Sequence, residues 1–184
     1  MGPPRADPIN AALATEGIRA LSQGLPPLIA TDPPIAWKDA SKLFTAPTSP
    51  PSHSPQQDPG CTTRPAMSLA GPTTSPHAQT HAAVLPYVLA FNGAHAPDAA
   101  ARIAAAFGTA DALTGLQELR KRLDAPKALS DYGFTAEGIA EAVPPLILPP
   151  AVPASNPRPV TAQDLTRLLQ AALNGEDPAI LLDR

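Results

Sequence analysis

Apolar residues recur at helical intervals over most of the chain and lose every period in one proline-rich stretch. Ile9, Leu13, Leu21, Leu25 and Leu28 space themselves as one side of a helix. Asp7 is placed to cap it, and Pro8 fits the first helical position, where its missing N–H is not needed. Pro26-Pro27 is expected to end or kink this helix. Asp32-Pro33 repeats the cap-then-proline start and leads into a short stretch through Trp37, Leu43 and Phe44. Helical signals return at Pro76. His77 to Phe91 carries Val84, Leu85, Val88 and Leu89 on one side, with Pro86 as a kink and Asn92-Gly93 as a stop. Pro97-Asp98 opens a helix through Ile103 and Phe107, closed by Gly108. Asp111 to Leu123 bears Leu113, Leu116, Leu119 and Leu123, and Arg120, Lys121 and Arg122 lie where positive charge suits the helix dipole. Thr135 starts a weaker helix that ends at Pro144-Pro145. Thr161-Ala-Gln-Asp164 has the form of a capping box. Leu165, Leu168, Leu169 and Leu173 then give a buried face, and Asn174-Gly175 a stop.

Valine and other β-branched runs are too scarce to build a sheet, so the pattern predicts an all-α helical bundle. It divides the chain into N-terminal helices over 1–44, a proline-rich segment over 45–75, and the remainder of the helical domain over 76–184. Eight of the 26 prolines fall between Thr45 and Pro76, mixed with Ser, Thr and Gln. Such text buries too little apolar surface to offset about 1–2 kcal/mol of chain entropy per ordered residue, and the segment is expected to be disordered.

Composition narrows the function classes without choosing one. The 184 residues suit a single domain, and charged residues are only 16% of them, against roughly 25% in an ordinary soluble domain. A net charge of −3 argues against a nucleic-acid-binding surface. The single cysteine, Cys61, excludes an intramolecular disulfide and a cysteine zinc cluster. The longest apolar stretches, Val84 to Phe91 and Val143 to Val152, are too short and too proline-broken to span a membrane. Met1 to Asp7 lacks the charged-then-apolar layout of a secretion signal, and with one cysteine the expected compartment is the cytoplasm.

Of the four histidines, His77 and His81 stand out, because four-residue spacing on a helix puts both on one face, as in paired-His metal sites. The same spacing fits two polar residues that solvate or cap a helix start, and no nearby Asp, Glu or third His completes a ligand set. A zinc-dependent hydrolase built on the pair would lack its carboxylate. Cys61 has no electropositive surroundings to activate it as a nucleophile. Pro47 to Pro55 suits a polyproline ligand as well as a structureless linker. No glycine-rich phosphate loop follows a strand. Tyr87 and Asn92 read as packing and capping residues.

The run Pro76-His-Ala-Gln-Thr-His-Ala-Ala-Val-Leu-Pro-Tyr-Val-Leu-Ala-Phe-Asn92 closely resembles the signature of maleylacetate reductases, a branch of the iron-containing alcohol dehydrogenase superfamily. Asn156-Pro-Arg-Pro-Val160 and its following helix resemble the C-terminal end of the same family. Asp7-Pro-Ile-Asn to Leu25-Pro26 is similar to the first helix of the family's C-terminal domain. The resemblance implies an oxidoreductase with a nucleotide-binding half and an all-helical half meeting at an active-site cleft. The implied reaction reduces maleylacetate to 3-oxoadipate with NADH or NADPH, in aromatic-compound breakdown. This chain matches the helical half, which implies an inactive fragment unless a separate N-terminal nucleotide-binding half partners it; family members are often dimers. His77 matches a position that ligates iron or another divalent metal in metal-dependent relatives. His81 matches a histidine typical of the reductase branch and takes the catalytic role.

The departure from the family pattern falls in the proline-rich segment. If the coding DNA is read one base earlier there, allowed codons let Cys61 to Pro76 become Leu-His-His-Lys-Thr-Cys-His-Val-Ala-Gly-Gly-Thr-Tyr-Asp-Leu-Pro. That run resembles the family's missing His-rich motif. The expectation is a compensated double frameshift, one base lost near Phe44 and one gained near Pro76. The alternative function is a non-catalytic helical interaction module with a flexible proline-rich linker.

Overall fold

Local capping chemistry sets the start of two helices and the end of a third. The computed structural model describes residues 8–30, 77–147 and 156–182. Its helices are α1 (Pro8–Ile29), α2 (His77–Gly93), α3 (Pro97–Phe107), α4 (Ala112–Arg122), α5 (Ala136–Ile147) and α6 (Ala162–Asn174). Short 3-10 turns lie at Ser130–Tyr132 and Pro178–Leu181, and no strand occurs among the described residues. The all-α expectation therefore holds. Asp111 caps α4 by accepting the Thr114 N–H at 2.8 Å. The capping box at α6 forms in both directions, Thr161 Oγ1 accepting from the Asp164 N–H and the Asp164 carboxylate accepting from the Thr161 N–H. Gly175 ends α6 at φ 66°, a left-handed conformation that a side chain would strain.

α2 is the central element. It packs against α4 on one side and α6 with its trailing 3-10 turn on another, while α5 lies on α6 and α1 lies across α3 and α4. Ala83, Val84, Tyr87, Val88, Ala90 and Phe91 of α2 join Leu129, Ile139, Val143, Leu146 and the four leucines of α6 in one core. A helix sandwiched this way needs apolar residues nearly all round. The one-sided reading of α2 is corrected accordingly. Leu85 is 42% exposed and Leu89 half-buried, whereas Thr80, Ala83, Tyr87, Ala90 and Phe91 are buried.

The same correction applies to α1. Leu13 is 67% and Leu21 43% exposed. The face turned inward is Ala11, Thr15, Ile18, Ser22 and Leu25, whose i, i+4, i+7, i+11, i+14 spacing forms one stripe. Small and half-polar residues there leave room for α3 and α4. Two expected helix ends also move. α1 continues through Pro26-Pro27 to Ile29, and α5 through Pro144-Pro145 to Ile147. Proline's φ suits a helix, and near a C-terminal end it removes only the donors of the last turn.

The stretch through Trp37, Leu43 and Phe44 lies outside the described residues, as do the 45–75 segment, His53, Cys61 and the Pro47 to Pro55 run. No helix among the described residues is long and apolar enough to cross a membrane.

Candidate functional site

Positions 77 and 81 lie one turn apart at the start of α2, so the pair singled out by spacing does share one helix. The His77 side chain lies outside the described residues. His81 is half-buried and has an interaction partner in its surroundings. Thr80 beside it is fully buried. Among the described residues no three His, Cys, Asp or Glu side chains converge, so these residues alone do not assemble a metal centre. They also contain no strand, and so do not form the strand–loop–helix cradle that holds a dinucleotide. His95, in the turn after α2, is exposed and apart from the pair.

Beyond His81, α2 meets its proline. Pro86 has no N–H, so the carbonyl of Ala82 four residues back loses its helical donor. Arg120 of α4 fills the gap, its Nη1 donating to the Ala82 oxygen and its Nη2 to the Pro126 oxygen at 2.6 Å. Burial draws the Arg120 pKa below its ordinary value, and Tyr87 opposes that shift. By its position in the sequence Arg120 suits the dipole of its own helix. In the fold it serves a carbonyl of another helix, and the available signal was the mid-helix proline, which leaves an acceptor that some buried donor must meet.

Tyr87, next to Pro86, is 2% exposed, and its hydroxyl donates to the Glu176 carbonyl at 2.7 Å. Burial pushes its pKa up to about 12, with Glu176 and Asp177 adding to the rise and Arg120 opposing it. The expected packing role is thus joined by an anchoring one. Tyr87, Gln117, Arg120, Lys127 and Glu176 line part of a cleft of about 370 Å³ on this side of the bundle.

The far end of α2 is tied to the Asn156-Pro-Arg-Pro-Val160 run. The Asn92 and Asn156 carboxamides hydrogen-bond to each other, and the Arg158 guanidinium stacks 4.1 Å over the Phe91 ring. Asn92, expected as a cap, directs its side chain to this long-range contact. The fold therefore joins two of the three runs that carried the sequence resemblance.

Comparison with known proteins fits this arrangement. The C-terminal model of the Fe-containing alcohol dehydrogenase family matches residues 4–173. The chain is 36% identical over 182 residues to a maleylacetate reductase of Sphingobium indicum, covering 94% of this chain and 47% of that protein. It is 33% identical over 182 residues to the maleylacetate reductase of Burkholderia cepacia, covering 94% and 48%. Among solved structures it is similar to an iron-containing alcohol dehydrogenase from Corynebacterium glutamicum, with TM-score 0.78, 53% identity, and coverage of 97% of this chain and 49% of that one. It is also similar to the maleylacetate reductase from Rhizobium sp. strain MTP-10005, with TM-score 0.70, 29% identity, and coverage of 95% and 48%. The chain spans about half the length of the curated relatives it matches. With residues 4–173 matching its C-terminal part, the chain belongs to the Fe-containing alcohol dehydrogenase family.

Proposed function

We propose that this chain supplies the helical half of a maleylacetate reductase-like oxidoreductase. The reaction is reduction of maleylacetate to 3-oxoadipate by NADH or NADPH, in aromatic-compound breakdown. The observation that carries this reading is the 36% identity to a maleylacetate reductase, sustained over 182 residues that include α2 and the Asn156 run. The helical domain is built from residues 1–44 and 76–184, with the proline-rich 45–75 segment interrupting it.

A bound nicotinamide would supply the hydride for this reduction. On this reading the nicotinamide is held by a nucleotide-binding half that meets the helical half across a cleft. His81 is the residue assigned to catalysis. A half-buried imidazole at the start of α2 is suited to polarise a carbonyl or carboxylate of the substrate. Position 77 takes the metal-facing role. Substrate and partner half are the expected partners, with no nucleic acid or membrane involved.

The test is co-expression of the chain with the nucleotide-binding half of the Corynebacterium glutamicum relative. Oxidation of NADH or NADPH that requires both halves and maleylacetate is the expected result, and His81→Ala should abolish it while leaving the complex intact. A stable complex that oxidises neither cofactor with maleylacetate, both with the 45–75 segment as it stands and with that segment re-read one base earlier, overturns the proposal.

A further inference from the structure

We infer that Arg120 is a positioning residue: it fixes the limb of α2 that carries His77 and His81 by replacing the hydrogen bond that Pro86 cannot donate. The inference rests on the reading above only in supposing that this limb faces the reaction.

A proline inside a helix deletes one N–H and presses its ring toward the carbonyl four residues back. In α2 that carbonyl belongs to Ala82, the residue directly after His81. The helix passes the proline without ending, so it consists of two limbs joined at a weakened turn. The C-terminal limb has its own ties, Tyr87 to the Glu176 carbonyl and Asn92 to Asn156. The N-terminal limb is tied through Arg120, whose guanidinium bridges the Ala82 carbonyl on α2 and the Pro126 carbonyl in the loop after α4. Its planar fork serves two acceptors at once, which an ammonium does less well. The guanidinium makes no ion pair with a carboxylate among the described residues, so its donors are directed to backbone. Both limbs are thereby held to the same bundle, and the angle between them is set from α4.

The experiment is a double-mutant cycle on the full chain, using Arg120→Met, Arg120→Lys and Pro86→Ala. The readouts are the His81 imidazole resonances at one fixed pH and amide hydrogen exchange along α2. Arg120→Met should move the His81 resonances and speed exchange over residues 80–85 by about tenfold or more, leaving α6 unchanged. Arg120→Lys should recover part of the loss. Pro86→Ala restores an N–H four residues after Ala82, so in that background Arg120→Met should have little effect. A His81 signal that does not respond to Arg120→Met, or responds equally with Pro86→Ala present, overturns the inference. If Arg120→Met does not fold, Pro86→Ala must restore its folding, and failure to do so overturns it equally. These readouts are independent of turnover, so a failed reductase assay and a failed cycle remain distinguishable.

Discussion

Asn92 and Asn156 face each other across 64 residues of sequence, Asn92 Nδ2 donating to Asn156 Oδ1 at 3.1 Å and Asn156 Nδ2 donating back at 3.3 Å. Asn156 Nδ2 also donates to the Arg158 carbonyl at 2.6 Å, which aims the Arg158 guanidinium over Phe91. This small network closes the end of α2 against the entry to α6.

Removing it has a measurable cost. Asn156→Ala deletes three hydrogen bonds at a half-buried site, where water replaces part of the loss, so about 2 kcal/mol is expected. For a chain of this size that is a fall in Tm of roughly 4–8 °C by circular dichroism. Asn92→Ala added to Asn156→Ala should cost little more, because the pair is a single interaction. Fully additive losses would mean the two amides act separately.

Tyr87 makes stability depend on alkaline pH. Its folded pKa of about 12 lies above the ordinary 10.0. Between those values the unfolded chain has lost the phenolic proton and the folded chain keeps it. The unfolded state then binds fewer protons, and stability falls as pH rises through that window. The hydroxyl borders a cleft open to water, so screening trims the effect to on the order of 1–2 kcal/mol. Denaturation midpoints measured from about pH 9 to about pH 12 should drop more steeply for the native chain than for Tyr87→Phe. Parallel curves would refute the assignment, since all other titrating groups are common to both.

Gly115 tests whether packing or propensity governs the α3–α4 contact. A glycine inside a helix is about 1 kcal/mol worse than alanine, so propensity alone favours Gly115→Ala. A Cβ there, however, would sit 2.6 Å from Phe107 Cβ, which cannot yield without moving α3, and 2.6 Å from Thr109 Oγ1, which is held by its hydrogen bond to the Asp111 carbonyl. Overpacking of this kind costs typically 1–3 kcal/mol, so the net expectation is a loss of about 1 kcal/mol in urea unfolding. Gly138→Ala is the contrast. Its Cβ would meet nothing nearer than Thr135 Oγ1 at 3.7 Å, and the substitution should raise stability by a few tenths of a kcal/mol.

What was legible in the sequence follows from the range of the forces. Caps and stops act within four residues, and Asp111, Thr161, Gly108 and Gly175 are all found where local chemistry puts them. The side of a helix that is buried depends on its neighbours. Hydrophobicity alone therefore chose Leu13, Leu21 and Leu85, which face out, and passed over Ser22 and Thr80, which face in. The His77–His81 register is a local property and could be read directly. The Arg120 bridge spans 38 residues, and a dipole explanation close at hand concealed it.

The DNA of the locus offers the sharpest remaining test. The family match extends from residue 4 to residue 173, and residues 45–75 within those bounds lose every apolar period. Read one base earlier, allowed codons permit both a His-rich motif over Cys61 to Pro76 and an Ala- and Leu-rich helical text before it. The prediction is that resequencing finds one base missing near Phe44 and one extra near Pro76 relative to an intact gene. A chain rebuilt with the re-read segment should then be more stable. Each large apolar side chain buried by a restored helix contributes roughly 1.5–3 kcal/mol, and a few of them rival the whole stability of a domain, about 5–15 kcal/mol. Thermal unfolding of the two chains side by side reads this directly. If the DNA read one base earlier does not encode the His-rich run, the frameshift is excluded, and the proline-rich text is a native insertion in this helical domain.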